Sequence, residues 1–520
     1  MKMKKQDIKE VLALLPFCLL AFLLLISCDD KLDIVPKGQS TLETVDDLEL
    51  LLNKDIKLGV PNDLDVICDE SVSMGQNIGT ILQQANTLDY AYLAYDEKVD
   101  RAQLAQSDSR YTETYKAINA MNTIIEKAPE ASGSDARRQQ IIAEAHVMRA
   151  YLHWLLVNIY ARQYDEATAG KDGGIAYVTS NSVFADNPKL TVKEVYDHIL
   201  DDCSDAYIAA LPQRNHDVLR GDQAFGNAVR AKVLMQMKRY AEALPYALNS
   251  LSINGTIEDR ADIVDKGDWV LDRKANDNLL YMCGQVSPFT ECTSRETAAH
   301  FEAGDYVLYH AYMGGHKPEA GDDDDDDDDG GDDDYYDDAK AFHAATTQTA
   351  ASAKAFADDD FDASSSAWNS LYGQMMSGLD GSLMYFAMSA WGNAYGITSD
   401  RMYYTAAECY IRTGEIQKGL ELINKVRQNR IDADHYQPLT ASTEAQAMKL
   451  MQDAKWIECI GSYENFFDCK RWNTEEAYRR TITRDLGDNG KFSISPDSKL
   501  WVLPFPLQAT RKNAALTNNF

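Results

Sequence analysis

Basic residues are scarce in this 520-residue chain: 51 lysines and arginines face 82 aspartates and glutamates, a net charge of −31. That balance excludes nucleic acid as a partner, because gripping phosphates needs a concentrated basic surface. No G-x-S-x-G elbow, H-E-x-x-H pair, G-x-x-x-x-G-K-[ST] loop or C-x-x-C pair occurs. The local signatures of serine hydrolases, zinc proteases, nucleotide hydrolases and dithiol redox proteins are therefore missing. Glycoside hydrolysis escapes this argument, since it needs only two carboxylates at a suitable separation and acids are plentiful. Long apolar runs are nearly absent as well. The one present, residues 11–26, is short of the roughly 20 residues that a bilayer-spanning helix needs.

That run follows a segment, residues 1–10, with four lysines against two acids, and it ends in Leu25-Ile26-Ser27-Cys28. A basic start, an apolar stretch and a small residue at the cut mark a secretory signal over residues 1–27. The Leu-x-Ser-Cys ending resembles a bacterial lipobox, in which Cys28 becomes the acylated first residue of the mature protein. Several acyl chains there give a stable membrane anchor where one is marginal. Asp29, Asp30 and Asp33 resemble the acidic stretch that follows the lipidated cysteine of surface-exposed lipoproteins. Beyond Cys18 and Cys28, the seven remaining cysteines form no disulfide framework by spacing, and most read as buried free thiols.

The rest of the chain is organised by helical periods. In residues 401–431, Tyr403, Ala406, Ala407, Tyr410 and Ile411 recur at three/four spacing, Thr413-Gly414 interrupts, and Ile416, Leu420, Ile423 and Val426 resume. This predicts a helix, a left-handed glycine turn and a second helix. The offsets Ala407, Tyr410, Gly414, Gly419, Ile423, Val426 return upstream as Ala231, Leu234, Lys238, Ala243, Ala247, Ser250, with a lysine at the glycine position. Such spacing resembles the tetratricopeptide repeat, whose helix pairs bury their shared face by stacking. A short helix is expected within 41–53, and a longer one carries Tyr111, Tyr115, Ile118, Met121 and Ile125. Another, over 141–161, is apolar on most sides and holds His146, Arg149 and His153 as satisfied core or rim residues. A single helix is expected over 191–211, opened by a Thr191/Glu194 capping box with Val195, Ile199, Cys203, Tyr207 and Leu211 inward. Four helical pairs thus span Tyr111 to Ile431, interrupted once.

The interruption, residues 254–400, is rich in Gly, Ser, Asp and aromatics. Within it, 321–362 carries 17 aspartates and two lysines, about half of the whole imbalance. It reads as a solvated loop, with calcium capture or attraction of cationic peptides as functional alternatives. Asp325, Asp327, Asp329 and Gly330 fit the start of an EF-hand, but its twelfth position is Tyr336, which rules that motif out.

Five ordered elements carry a family resemblance. They are Tyr115/Ile118/Asn122; Ala143/Glu144/Ala145 with Arg149/Ala150; the 401–431 hairpin; Phe467/Asp468 with Lys470/Arg471/Trp472; and Pro504/Pro506 with Thr517/Asn519. Together with the lipobox they resemble the SusD/RagB family of surface lipoproteins. Asn465-Phe466 departs from that pattern, and the Asp-rich insert has no counterpart in it. The resemblance implies a mainly α fold, a tetratricopeptide-like scaffold of about four helix pairs with an irregular ligand-binding lobe. The layout would be a helical region 28–253, the lobe 254–400 and a C-terminal region 401–520. It implies a non-catalytic protein at the outer membrane, capturing oligosaccharides or oligopeptides for a SusC/RagA-type TonB-dependent barrel that it caps as a lid. A lipid-anchored surface glycosidase or peptidase, and a helical-repeat scaffold, are the alternatives. The F-D-x-K-R-W stretch reads as a fold-holding corner, with Phe466 and Phe467 anchoring a loop and Asp468 pairing with Arg471 or capping a turn. Ligand contact is expected from Trp368, Tyr372, Trp391 and Tyr395, set among glycines with Asn369 and Asn393 adjacent. No catalytic or metal-ligating residue and no cofactor is assigned.

Overall fold

The computed structural model describes residues 42–59, 61–72, 77–182, 184–215, 217–261, 278–283, 290–307, 384–386 and 393–520. The signal segment, Cys28 and the Asp-rich run lie outside them. The main helices are α1 (Val45–Glu49), α2 (Asn62–Ile67), α3 (Leu88–Leu93), α4 (Ser109–Lys127), α5 (Asp135–Tyr160), α6 (Val192–Asp202) and α7 (Asp205–Ala210). They continue with α8 (Gln223–Gln236), α9 (Tyr240–Ile253), α10 (Ser399–Arg412), α11 (Ile416–Arg430), α12 (Glu444–Glu458) and α13 (Tyr463–Asn473). Strands are few. Four antiparallel pairs join Gly173–Ala176 to Lys189–Thr191, Leu279–Tyr281 to Ile397–Thr398, Thr290–Cys292 to Met384–Phe386, and Ile482–Asp485 to Lys491–Ile494.

Helix α5 is the hub. From Ile141 to Tyr160 nearly every residue is buried, as its all-round apolar sequence requires. Helices α1, α4, α6, α7 and α8 pack around it. Polar residues start the helices: Asp108 accepts from Tyr111 N, Ser134 from Arg137 N, and Thr191 and Glu194 close the expected reciprocal capping box. Each such cap contributes roughly 1 kcal/mol. The expected helix over 191–211 is instead two helices. The chain breaks at Cys203, Ser204 restarts it, and the register shifts so that Ile208 rather than Tyr207 is buried.

The two hairpins with matching offsets, α8–α9 and α10–α11, stack through α9 against α10, and α12 covers α10 and α11. Ala231, Ala243, Ala247, Ala407, Gly419, Ile423 and Val426 are all buried. Gly419 permits the close crossing, since a Cβ there would stand 2.7 Å from Ala407 O. Gly414 turns with φ +89°, the left-handed residue anticipated. Lys238 adopts the same conformation, φ +61°, without being glycine. Its Nζ reaches Asp165 Oδ2 and Thr474 Oγ1, each at 3.0 Å. The lysine therefore does not spoil the second copy of the turn. Six cysteines (Cys68, Cys203, Cys283, Cys409, Cys459 and Cys469) are buried free thiols.

Candidate functional site

The F-D-x-K-R-W stretch is a helix, α13, not the corner of a loop, and all of its residues are buried. Around it runs a chain of six alternating charges. Lys232 meets Glu464 at 2.8 Å, Glu464 lies 3.6 Å from Lys455, Lys455 pairs with Asp468 at 2.5 Å, and Asp468 with Arg471 at 2.8 Å. Arg471 then grips both oxygens of Glu408, which also accepts Trp472 Nε1 at 3.0 Å. The expected Asp468–Arg471 pair is present within this larger set. Burial works against the charge of Asp468, but Lys455 and Arg471 outweigh it and hold the carboxyl below its usual range. Lys470 donates to the carbonyls of Asn158 and Ala161 near the end of α5. Burial alone pulls its amine down to about 7.

The other recurring motif residues are also structural. Asn122 donates to Val178 O and accepts from Arg149, which forks onto Asp202, and Glu144 holds Arg220 and Gly221 N. His146 touches Asp202 at 2.7 Å, and His153 contacts Arg149 O and accepts Val178 N, so both are satisfied internally. Asn519 donates to Tyr160 O and Gly174 O, tying the C-terminal segment onto α5.

Of the four aromatic candidates, Trp368, Tyr372 and Trp391 lie outside the described residues, as does Asn369. Tyr395 does not sit on an exposed loop: it is fully buried. Its ring stacks parallel to Tyr463 with centroids 6.1 Å apart, and its carbonyl accepts from Tyr151 Oη at 2.5 Å. Asn393 is likewise occupied, bonding Cys283 N and Tyr281 O at 2.8 and 3.2 Å, so its amide is not free for a ligand. The glycine beside them serves close packing. A Cβ on Gly396 would stand 2.4 Å from Tyr281 O.

Tyr395 nevertheless leads to an opening. Its hydroxyl accepts from Arg110 Nη1 at 3.0 Å, and Arg110 forms part of the wall of a cleft of about 600 Å³. Asn62 and Asp63 from the first turn of α2, Asp89 and Tyr92 from α3, and Asp108 capping α4 complete that wall, with Leu88, Leu503 and Pro504 supplying apolar surface. First-turn acids stabilise helices through the dipole, which explains their placement locally. Arg110 forks onto Asp63 at 2.9 and 2.8 Å and reaches Asp108 at 3.1 Å. Tyr160 donates to the same Asp108 carboxylate at 2.5 Å. Burial opposes that carboxylate's charge, yet Arg110 and Tyr160 outweigh it and keep Asp108 below the usual range.

Two groups on this wall are left over. The Asp89 carboxylate has no hydrogen bond or ion pair among the described residues; burial and then the charge of Asp63 push its pKa up. Asn62 Oδ1 is shut from water without a donor. An enclosed acceptor without a partner costs roughly 1–3 kcal/mol, a cost that a donating ligand would remove. Carboxylates and an amide beside apolar surface suit hydroxyl-rich ligands. Sequence reasoning missed this cleft. An acid just ahead of the Tyr111 helix is the one local signal that could have marked Asp108, as a cap, whereas Asn62, Asp63 and Asp89 carry no spacing that connects them.

Comparison with known proteins gives the following. A family model described as starch-binding and associating with the outer membrane matches residues 43–229, and a SusD family model matches 401–520. No curated protein sequence matches. Among solved structures, a SusD superfamily protein from Bacteroides thetaiotaomicron is 16% identical with a TM-score of 0.59, over 92% of this chain and 100% of that one. Surface glycan-binding protein A from Bacteroides uniformis is 14% identical with a TM-score of 0.60, over 92% and 99%. A SusD-like carbohydrate-binding protein from Bacteroides vulgatus is 13% identical with a TM-score of 0.55, over 91% and 97%. At these identities the likeness is one of fold.

Proposed function

The chain belongs to the SusD/RagB family, and from that premise we propose that it is a non-catalytic glycan-binding protein of the outer-membrane surface. It captures oligosaccharides and passes them to a SusC/RagA-type TonB-dependent barrel. The observation that carries the binding role is the Asn62–Arg110 cleft, where Asp89 and the Asn62 carbonyl remain without partners while the charges around α13 are paired with one another. Sugar hydroxyls supply the donors these groups lack. Trp368, Tyr372 and Trp391 remain candidates to stack on ligand from the lobe. Attachment rests on acylation of Cys28; among the described residues no helix is long and apolar enough to cross a bilayer.

Affinity electrophoresis and calorimetry against a panel of neutral oligosaccharides, beginning with maltoheptaose, test this. Saturable binding, little affected by salt and with the ligand recovered at full length, is the expected result. A shortened ligand would make the protein an enzyme. The acid excess at the cleft, three carboxylates around one guanidinium, favours a second reading, a basic oligopeptide. That reading requires binding that weakens steeply with salt.

A further inference from the structure

A second cavity, of about 400 Å³, lies across the segment 499–504 from the first: Ser498, Lys499, Trp501 and Val502 line it, whereas Leu503 and Pro504 line the cleft already described. Its remaining walls are the connection that leaves α5, the C-terminal end of α13 and Phe520.

Its polar groups can be sorted by what already engages them. Asp165 pairs with Lys238 at 3.0 Å, and Asp497 with Arg479 at 2.6 Å. Lys470 is turned onto the carbonyls of Asn158 and Ala161. Three donors remain. The Asn473 carboxamide, 8% exposed, makes no hydrogen bond, and its Nδ2 is enclosed without a partner. Arg162 makes one long contact, from Nε to Asn519 O at 3.4 Å, and no ion pair. The Lys499 ammonium has neither hydrogen bond nor ion pair among the described residues. One acid on the same lining, Asp172, has no ion pair or side-chain hydrogen bond among the described residues. The unengaged side chains are thus two cations, one acid and a buried amide donor, in a chain whose overall charge is −31. Two cationic donors and an amide N–H match a ligand that presents two acceptor oxygens. Guanidinium, ammonium and amide N–H together suit a planar carboxylate. Trp501 and Phe520 add ring surface for a carbon skeleton.

We infer that this cavity is a second ligand site, separate from the Asn62–Arg110 cleft, which takes a carboxylate-bearing ligand through Asn473, Arg162 and Lys499. The carboxylate comes either from an acidic sugar or from a peptide C-terminus, and the two sources are separable. Calorimetric titration of the full chain with D-glucuronate, D-glucose and N-acetyl-alanyl-alanine distinguishes them. Saturable binding of glucuronate but not glucose supports a sugar-acid site; binding of the acetylated dipeptide alone supports a peptide-end site. In the double variant Arg162→Gln/Lys499→Gln, whose replaced side chains are exposed and unpaired, the affinity falls about tenfold or more with the melting midpoint unchanged. Asn473→Asp, which sets a like charge against the ligand, produces a comparable loss by another route. Asp89→Asn in the first cleft leaves this affinity as it was, so failure here is distinguishable from failure of the glycan reading. The inference is overturned if no probe binds saturably, if glucose binds as well as glucuronate, or if both cavity variants bind like the wild type.

Discussion

The six charges around α13 and the charged wall of the Asn62–Arg110 cleft are built from the same residue types. In the first, Lys232, Glu464, Lys455, Asp468, Arg471 and Glu408 engage one another in sequence, and the recurring motif residues are consumed in holding helices together. In the second, Arg110 satisfies Asp63 and Asp108 but leaves Asp89 facing Asp63, and Asn62 without a donor. A continuous run of ion pairs marks the first region, and a carboxylate left outside the ion pairs, beside an opening, marks the second. The most family-like residues of this chain are therefore its scaffold. The place to seek binding is where a charge is left without an ion pair on the wall of an opening.

The sharpest way to break that contrast is Arg471→Met. It strands Glu408 in the core and leaves Asp468 with Lys455 as its ion-pair partner, and removing one partner from a buried pair costs roughly 3–5 kcal/mol. Chemical denaturation should show that loss, while the surviving folded protein keeps its glycan affinity. A destabilisation below about 1 kcal/mol would mean that the α13 charges are not a structural unit.

A smaller effect is expected at the two hairpin turns. Gly414→Val should cost on the order of 1–2 kcal/mol through the left-handed backbone, since open space around the site leaves conformation as the sole penalty. Lys238→Gly relieves the same strain but gives up the contacts to Asp165 and Thr474, so its stability should stay within about 0.5 kcal/mol of wild type. A gain in stability on Lys238→Gly would show that the lysine contacts do not offset the backbone cost, and a loss as large as that of Gly414→Val would show that they outweigh it.

The smallest effect belongs to Asp89. Its pKa is raised in the folded protein by burial and by Asp63, so the folded state holds its proton more tightly than the unfolded state does. Stability is then lost as pH rises from the ordinary aspartate value through the raised one. Asp89→Asn should be slightly more stable than wild type at neutral pH, and the gain should vanish in acid, below the unfolded-state value. A variant less stable than wild type at pH 7 would mean that Asp89 has a favourable partner in the folded chain.

Much of the scaffold was legible in the sequence because helical periods and caps are local. Tyr111–Met121, the all-round apolar α5, the Thr191/Glu194 box and the turn at Gly414 all form from residues a few positions apart. The break at Cys203–Ser204 was not legible, since the inward spacing continues across it and only the restart at Ser204 shifts the register. Tyr395 misled for a related reason. Neighbouring glycines suggested an exposed loop, whereas Gly396 is small because the Tyr281 carbonyl passes close to it. The cleft was illegible because its parts come from α2, α3 and α4 and meet only in the fold. The charge chain around α13 was half visible, as the Asp468–Arg471 spacing, while Lys232 and Glu408 arrive from distant helices.

The most direct test is calorimetric titration of the best-binding neutral oligosaccharide into the wild type, Asn62→Ala and Asp89→Ala, with melting midpoints measured alongside. The cleft account predicts that each substitution weakens binding by about tenfold, corresponding to roughly 1–2 kcal/mol, with the midpoints no lower than wild type and the ligand intact afterwards. Wild-type affinity in both variants would contradict it and place the glycan elsewhere on the molecule.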